Sequence, residues 1–187
     1  MTTSAKSKKS SAPLSGLYLL CAELLHREID SNFLQVLRQN EVLEMFDNLE
    51  PGCEAYLQRD WSDADFEQAA VDFCDLFILS ENDTAPRAAA WLDLGGELSP
   101  EAVDAVVGTF ILEWKIEVPP SYQHLTHDHL ALILYVAVVV REQDAGLADT
   151  FEESVLDPWL GKFGEVIAQC DFPIYRALGK VLIEMKR

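Results

Sequence analysis

The sequence predicts an all-helical fold, a single-domain bundle of seven to eight helices around one buried central helix. Three observations carry this. Apolar residues recur at spacings of three and four through most of the chain, and no run alternates with the period of two that a half-buried strand needs. Helix starts are written out as caps, as in Ser99-Pro100-Glu101, with proline at the first helical position and an acid in the first turn. The segment Leu130 to Val140 is wholly apolar, so a helix there has no face to show water. That run gives about 16 Å of helix, against about 30 Å of hydrocarbon in a bilayer, so it reads as a core helix and not a membrane span.

In chain order, residues 1–12 read as a disordered tail and residues 13–187 as the helical domain. The tail holds Lys6, Lys8 and Lys9, and the following LSGLYLLCAELL imitates the apolar part of a signal peptide. Glu23 and the spacing of Leu14, Leu17, Tyr18, Cys21, Leu24 and Leu25 favour an amphipathic first helix, from about Leu14 to Arg27, and a cytoplasmic protein. Ser31 is expected to cap a second helix with Phe33, Leu34 and Leu37 inward, running on toward Leu43 and Phe46 and ended by Pro51-Gly52. Ser62-Asp63-Ala64-Asp65 caps a third, whose inward stripe is Phe66, Ala69, Ala70, Phe73, Leu76 and Phe77. A long loop from Ser80 to Leu98 follows, with Trp91 and Leu92 as apolar anchors; loops of this length are often functional. Val103, Val106, Val107, Phe110, Ile111 and Trp114 stripe the next helix. The central helix follows Pro119-Pro120, with Thr126 as expected N-cap and Asp128 in its first turn. Arg141 and Gly146 mark its end, and a short helix follows about Asp149. Asp157-Pro158 and Pro173 open the last two helices.

The chain of 187 residues has 14 basic and 32 acidic residues, a formal net charge of −18. Outside the three lysines of the tail, 11 basic residues face 32 acidic ones, −21. Such a surface repels nucleic acid and anionic lipid and attracts cationic segments. Cys21, Cys53, Cys74 and Cys170 have neither metal-ligand nor redox spacing and read as free, mostly buried thiols, Cys53 alone lying outside apolar surroundings. His124-x-x-His127-Asp128-His129 invites a metal, as in a small metal-dependent hydrolase. Yet His127 and His129 cannot share a helix face, and only His26 remains as a further imidazole. No glycine-flanked nucleophile and no phosphate-binding glycine loop is present. Catalysis, metal and cofactor are therefore not expected. What remains suits binding a peptide that is both basic and apolar, or a helical adaptor with some other partner.

Several segments, in order, carry a family resemblance. They are Gly16 to Leu25, Asp72-Phe73-Cys74-Asp75-Leu76-Phe77, Pro86 with Trp91-Leu92-Asp93, Asp128-His129-Leu130, Asp157-Pro158-Trp159 and Pro173 to Gly179. Together the chain resembles the TorD/DmsD/NarJ family of cytoplasmic chaperones for molybdenum-containing oxidoreductases, over about residues 14–185. The resemblance implies no catalysis. It implies a partner in the catalytic subunit of a molybdoenzyme and its twin-arginine leader, held until the cofactor is inserted, with export delayed. Some members are associated with guanine nucleotide or molybdopterin dinucleotide, and members occur as monomers or domain-swapped dimers. The peptide-binding residues it implies are Asp128 and His129, with Pro86 and Trp91 nearby; Asp75, Phe77 and His127 complete the set. Two positions depart from the family pattern. Leu125-Thr126 stands where Glu-Pro is common, and Arg87 follows the loop proline where an aromatic is common. Beside an arginine-bearing ligand, Arg87 is expected to repel.

Overall fold

The computed structural model describes residues 12–79, 84–93 and 98–185; parts of the expected tail and of the Ser80–Leu98 loop lie outside these. Among the described residues ten α-helices follow one another: α1 (Ala12–His26), α2 (Ser31–Leu37), α3 (Asn40–Leu49), α4 (Cys53–Gln58), α5 (Asp63–Phe73), α6 (Pro100–Glu113), α7 (Leu130–Gln143), α8 (Ala145–Val155), α9 (Asp157–Ile167) and α10 (Pro173–Met185). A π turn, Cys74–Ile78, prolongs α5, and a 3-10 turn, Ala88–Ala90, lies within the loop after it. No strand occurs among the described residues, and none of their helices is long and apolar enough to cross a membrane. The all-helical reading therefore stands.

From Leu130 to Arg141 only Tyr135 and Val139 escape full burial in α7. Helices α1 and α8 pack against it, α9 pairs with α10, and α10 also meets α3. Much of the α9–α10 pairing depends on two glycines. A β-carbon on Gly164 would lie 2.8 Å from the Gly179 carbonyl oxygen, and one on Gly179 would lie 2.4 Å from the Ala168 nitrogen. Those are backbone atoms that cannot swing aside, so the two axes approach closely only because both side chains are missing.

A charged network enters this core. Arg141 donates to Glu152 on α8 at 2.6 Å and to Asp149 at 2.9 Å, and Glu152 accepts from the Tyr18 hydroxyl of α1 at 2.8 Å. Arg141 and Glu152 are both buried. The arginine read as a helix-end marker is thus the hub of a network joining α1, α7 and α8.

The second expected helix is instead two short ones, α2 and α3, and α4, which was not expected, follows Pro51-Gly52. Asp30, not Ser31, caps α2, accepting from the Phe33 N–H at 2.7 Å. The chain breaks at Arg38, whose guanidinium donates to the carbonyls of Leu57 (2.8 Å) and Arg59 (2.7 Å) at the end of α4. Gly52, at φ 93°, makes the left-handed turn into α4 that a side chain would strain. Asp65 accepts from the Ser62 N–H (2.8 Å) and hydroxyl (2.6 Å), the cap expected for α5. Asp157 is not a cap but the first residue of α9, with Leu156 before it. Cys53 is as deeply buried as Cys21, while Cys74 and Cys170 are half-buried. Burial pushes the Cys21 and Cys53 thiols up to about 12, so neither is a ready nucleophile.

Candidate peptide-binding site

The loop from Thr84 to Asp93 is fastened to the start of α7 by its backbone. The Ala88 N–H donates to the Asp128 carbonyl at 2.9 Å, and the Leu130 N–H donates to the Pro86 carbonyl at 2.7 Å. These two bonds make a short antiparallel bridge pairing Arg87 with His129. Proline suits that place, because it favours extended backbone before it and leaves its carbonyl free to accept. Further anchors hold the loop's other side. The Trp91 indole N–H donates to the Ala85 carbonyl at 2.8 Å, its ring meets Phe163 of α9 edge-on at 5.5 Å, and the Thr84 hydroxyl donates to the Leu76 carbonyl of the π turn.

Asp128 therefore precedes α7 instead of lying in its first turn, and it is 4% exposed. Its Oδ1 accepts from the Thr126 hydroxyl at 2.5 Å and from Arg87 Nε and Nη2 at 3.3 and 3.2 Å, while its Oδ2 accepts from the Ala89 N–H at 3.3 Å. Both arginine donors converge on one oxygen, at the long end of hydrogen-bonding range, so this is not the two-oxygen fork that guanidinium and carboxylate can form. The Arg87 side chain is 48% exposed. The residue expected to repel a cationic ligand instead occupies the carboxylate that such a ligand would seek.

His129 is the true N-cap of α7: its Nδ1 accepts from the Ala131 N–H at 3.2 Å. Thr126, expected in that role, donates to Asp128. Burial pushes the His129 imidazole down to about 4, helped by neighbouring His26, Arg87 and His124, with Asp128 opposing. A neutral ring with Nδ1 unprotonated is the form the cap requires. Nearby, His26 stacks on Tyr122 with centroids 4.4 Å apart, and the Tyr122 hydroxyl donates to Glu23 at 3.0 Å.

The seven residues implied by the resemblance do not form one cluster. Pro86, Trp91, Asp128 and His129 come together around the bridge. His127 turns toward α6, its Nδ1 3.6 Å from Asp104 and its ring against Gly108. Phe77 packs edge-on against Tyr175 and Phe73, and Asp75 lies exposed on the π turn beside it. His127 is therefore turned away from His129, and among the described residues no three His, Cys, Asp or Glu side chains are grouped to hold a metal. The hydrolase alternative loses its ligand set. Arg87 and the Ala89 N–H are the members that spacing does not reveal, since they lie 41 and 39 residues from Asp128.

The family described as nitrate reductase delta subunit matches residues 39–165, more than half the chain. The chain belongs to that family. Relatives named "Chaperone protein TorD" agree with this. One from Shewanella sp. (strain MR-4) is 27% identical over 173 residues, covering 83% of this chain and 79% of its own length. Another, from Shewanella loihica, is 26% identical over 183 residues, covering 88% and 85%. The delta-subunit match spans the π turn, the bridged loop and the Asp128-His129 pair, and leaves out α1, α2 and α10. Membership in this family of maturation chaperones makes the chain a chaperone and not an enzyme.

Proposed function

We infer that this protein is a cytoplasmic maturation chaperone that binds the basic, then apolar, leader segment of a molybdoenzyme catalytic subunit, keeping it from export until the cofactor is in place. The bridged loop and the start of α7 form the binding face. The observation that carries this reading is Asp128: an almost buried carboxylate, held by Thr126 and Ala89, that already accepts a guanidinium at the surface. A carboxylate so placed is built to take arginine.

The energetics divide the labour. An exposed or half-exposed ion pair contributes about 0–1 kcal/mol and weakens with salt. Each apolar side chain of the leader, fully buried, contributes roughly 1.5–3 kcal/mol. Charge on a body of −21 steers and selects, and apolar contact holds the complex. The His129 ring is committed to its helix.

Calorimetric titration of the full chain with a synthetic twin-arginine leader tests the proposal. Binding is expected, weakened by salt, and lost when both leader arginines become glutamine. Equal affinity for the glutamine leader would remove the charge argument. Co-purification from the native cell with a partner unrelated to molybdoenzymes would replace leader binding by the adaptor reading.

A further inference from the structure

We propose that Arg87 is an internal competitor for the client's arginine, and that it sets the threshold a segment must pass to be held. This rests on the leader-binding reading above and adds to it the residue that limits affinity.

The argument is one of what can move and what cannot. Asp128 is fixed three ways that do not involve the Arg87 side chain: by the Thr126 hydroxyl, by the Ala89 N–H, and by the backbone bridge on both sides of it. Among the described residues Arg87 is held by its backbone and, through its side chain, by Asp128 alone. Its guanidinium is half-exposed and grips a single oxygen at 3.2–3.3 Å. Rotating that side chain into water leaves the bridge, the 3-10 turn and the cap of α7 intact, and uncovers a carboxylate with its orienting partners in place. An incoming arginine then replaces one guanidinium by another. The exchange itself has little driving force, because the charge and donors gained match those lost. A segment with basic residues but no apolar stretch therefore gains almost nothing at Asp128, whereas one whose apolar part also packs onto the protein is retained. Arg87 lowers the affinity of every cationic segment by the same factor, the fraction of time the carboxylate stands uncovered.

Four full-length proteins test this: wild type, Arg87→Ala, Asp128→Asn and the double variant, each titrated calorimetrically with the synthetic twin-arginine leader after its helical signal is checked. Arg87→Ala should bind about three- to tenfold more tightly than wild type, the range between an exposed ion pair and a charge-assisted hydrogen bond. In the Asp128→Asn background the same change should yield no gain, since the competitor then guards nothing. In wild type, the side-chain Nε–H resonance of Arg87 should move to the position of a solvent-exposed arginine as leader is added. Equal or weaker binding by Arg87→Ala, or an unmoved Nε–H resonance at saturation, overturns the proposal while leaving leader binding standing. A gain that persists with Asp128→Asn also overturns it, assigning Arg87 a general repulsion. Failure of all four proteins to bind the leader overturns both this proposal and the function on which it rests.

Discussion

Replacing Glu152 by alanine should destabilise the fold by about 3 kcal/mol, toward the lower end of the 3–5 kcal/mol that follows when one member of a buried ion pair is removed. The value follows from the contacts. Glu152 accepts from Arg141 at 2.6 Å and from Tyr18 at 2.8 Å, and both ends of the pair are buried. Without it the Arg141 guanidinium, 7% exposed, keeps among the described residues only Asp149, whose side chain is 44% exposed. That surviving contact holds the cost near the bottom of the range. Urea unfolding followed by circular dichroism reads it out: with a slope of about 2–3 kcal/mol/M, the midpoint should fall by about 1–1.5 M. Tyr18→Phe should cost less, about 1–2 kcal/mol, because it strands one lone pair and no charge. The Arg141→Met, Glu152→Leu double variant should recover most of the loss, since an apolar pair of similar volume needs no desolvation. A midpoint change under about 0.3 M for Glu152→Ala, or a double variant as unstable as the single one, would refute the buried-hub argument.

Gly179→Ala should cost at least about 2–3 kcal/mol, measured by the same unfolding assay, because the new methyl meets backbone at 2.4 Å and α9 must move away from α10. His129 makes stability depend on pH. Its folded value, about 4, lies below the ordinary 6.5, so the unfolded chain takes up the proton first. The stabilisation is whole above about pH 6.5 and is lost as pH falls toward 4, by roughly 2–3 kcal/mol; His129→Asn, which keeps an acceptor for the Ala131 N–H, should flatten that part of the stability curve. Tyr175→Phe should leave stability within about 0.5 kcal/mol of wild type or raise it, because the buried hydroxyl has no hydrogen-bond partner among the described residues.

Where sequence and structure agree, the signal was local. Ser62 to Asp65 and Ser99-Pro100-Glu101 are complete within four residues, and the apolar run of α7 needs no partner to announce burial. Where they part, a distant atom decided. Nothing in residues 31–46 breaks a helix, yet Arg38 reaches carbonyls of Leu57 and Arg59, and the chain turns there. Thr126 and Asp128 have the composition of a helix cap, but a loop about 40 residues away offers Asp128 a backbone N–H and a guanidinium, which leaves His129 to cap α7. Cys53, expected to lie outside apolar surroundings, is fully buried, covered by parts of the chain the local sequence does not show. Of the site, the Asp128-His129 pair and its loop were legible through the family pattern. The Arg87–Asp128 contact was not, since charge sign alone does not place a side chain against a residue 41 positions away.

The wide turn at Cys74–Ile78 has a consequence of phase. An α-helix returns a side chain to the same direction every 3.6 residues, and a π turn adds about one residue to that circuit. Phe73 and Phe77 stay together inside, but Ile78 and Leu79, the next in line, are left 62% and 67% bare. Excising one residue from this circuit would restore ordinary winding and swing everything after it by about 100°. The greasy pair at the end of the turn is thus displayed on the outside by a single surplus residue, one small enough for an evolving lineage to gain or lose in one step.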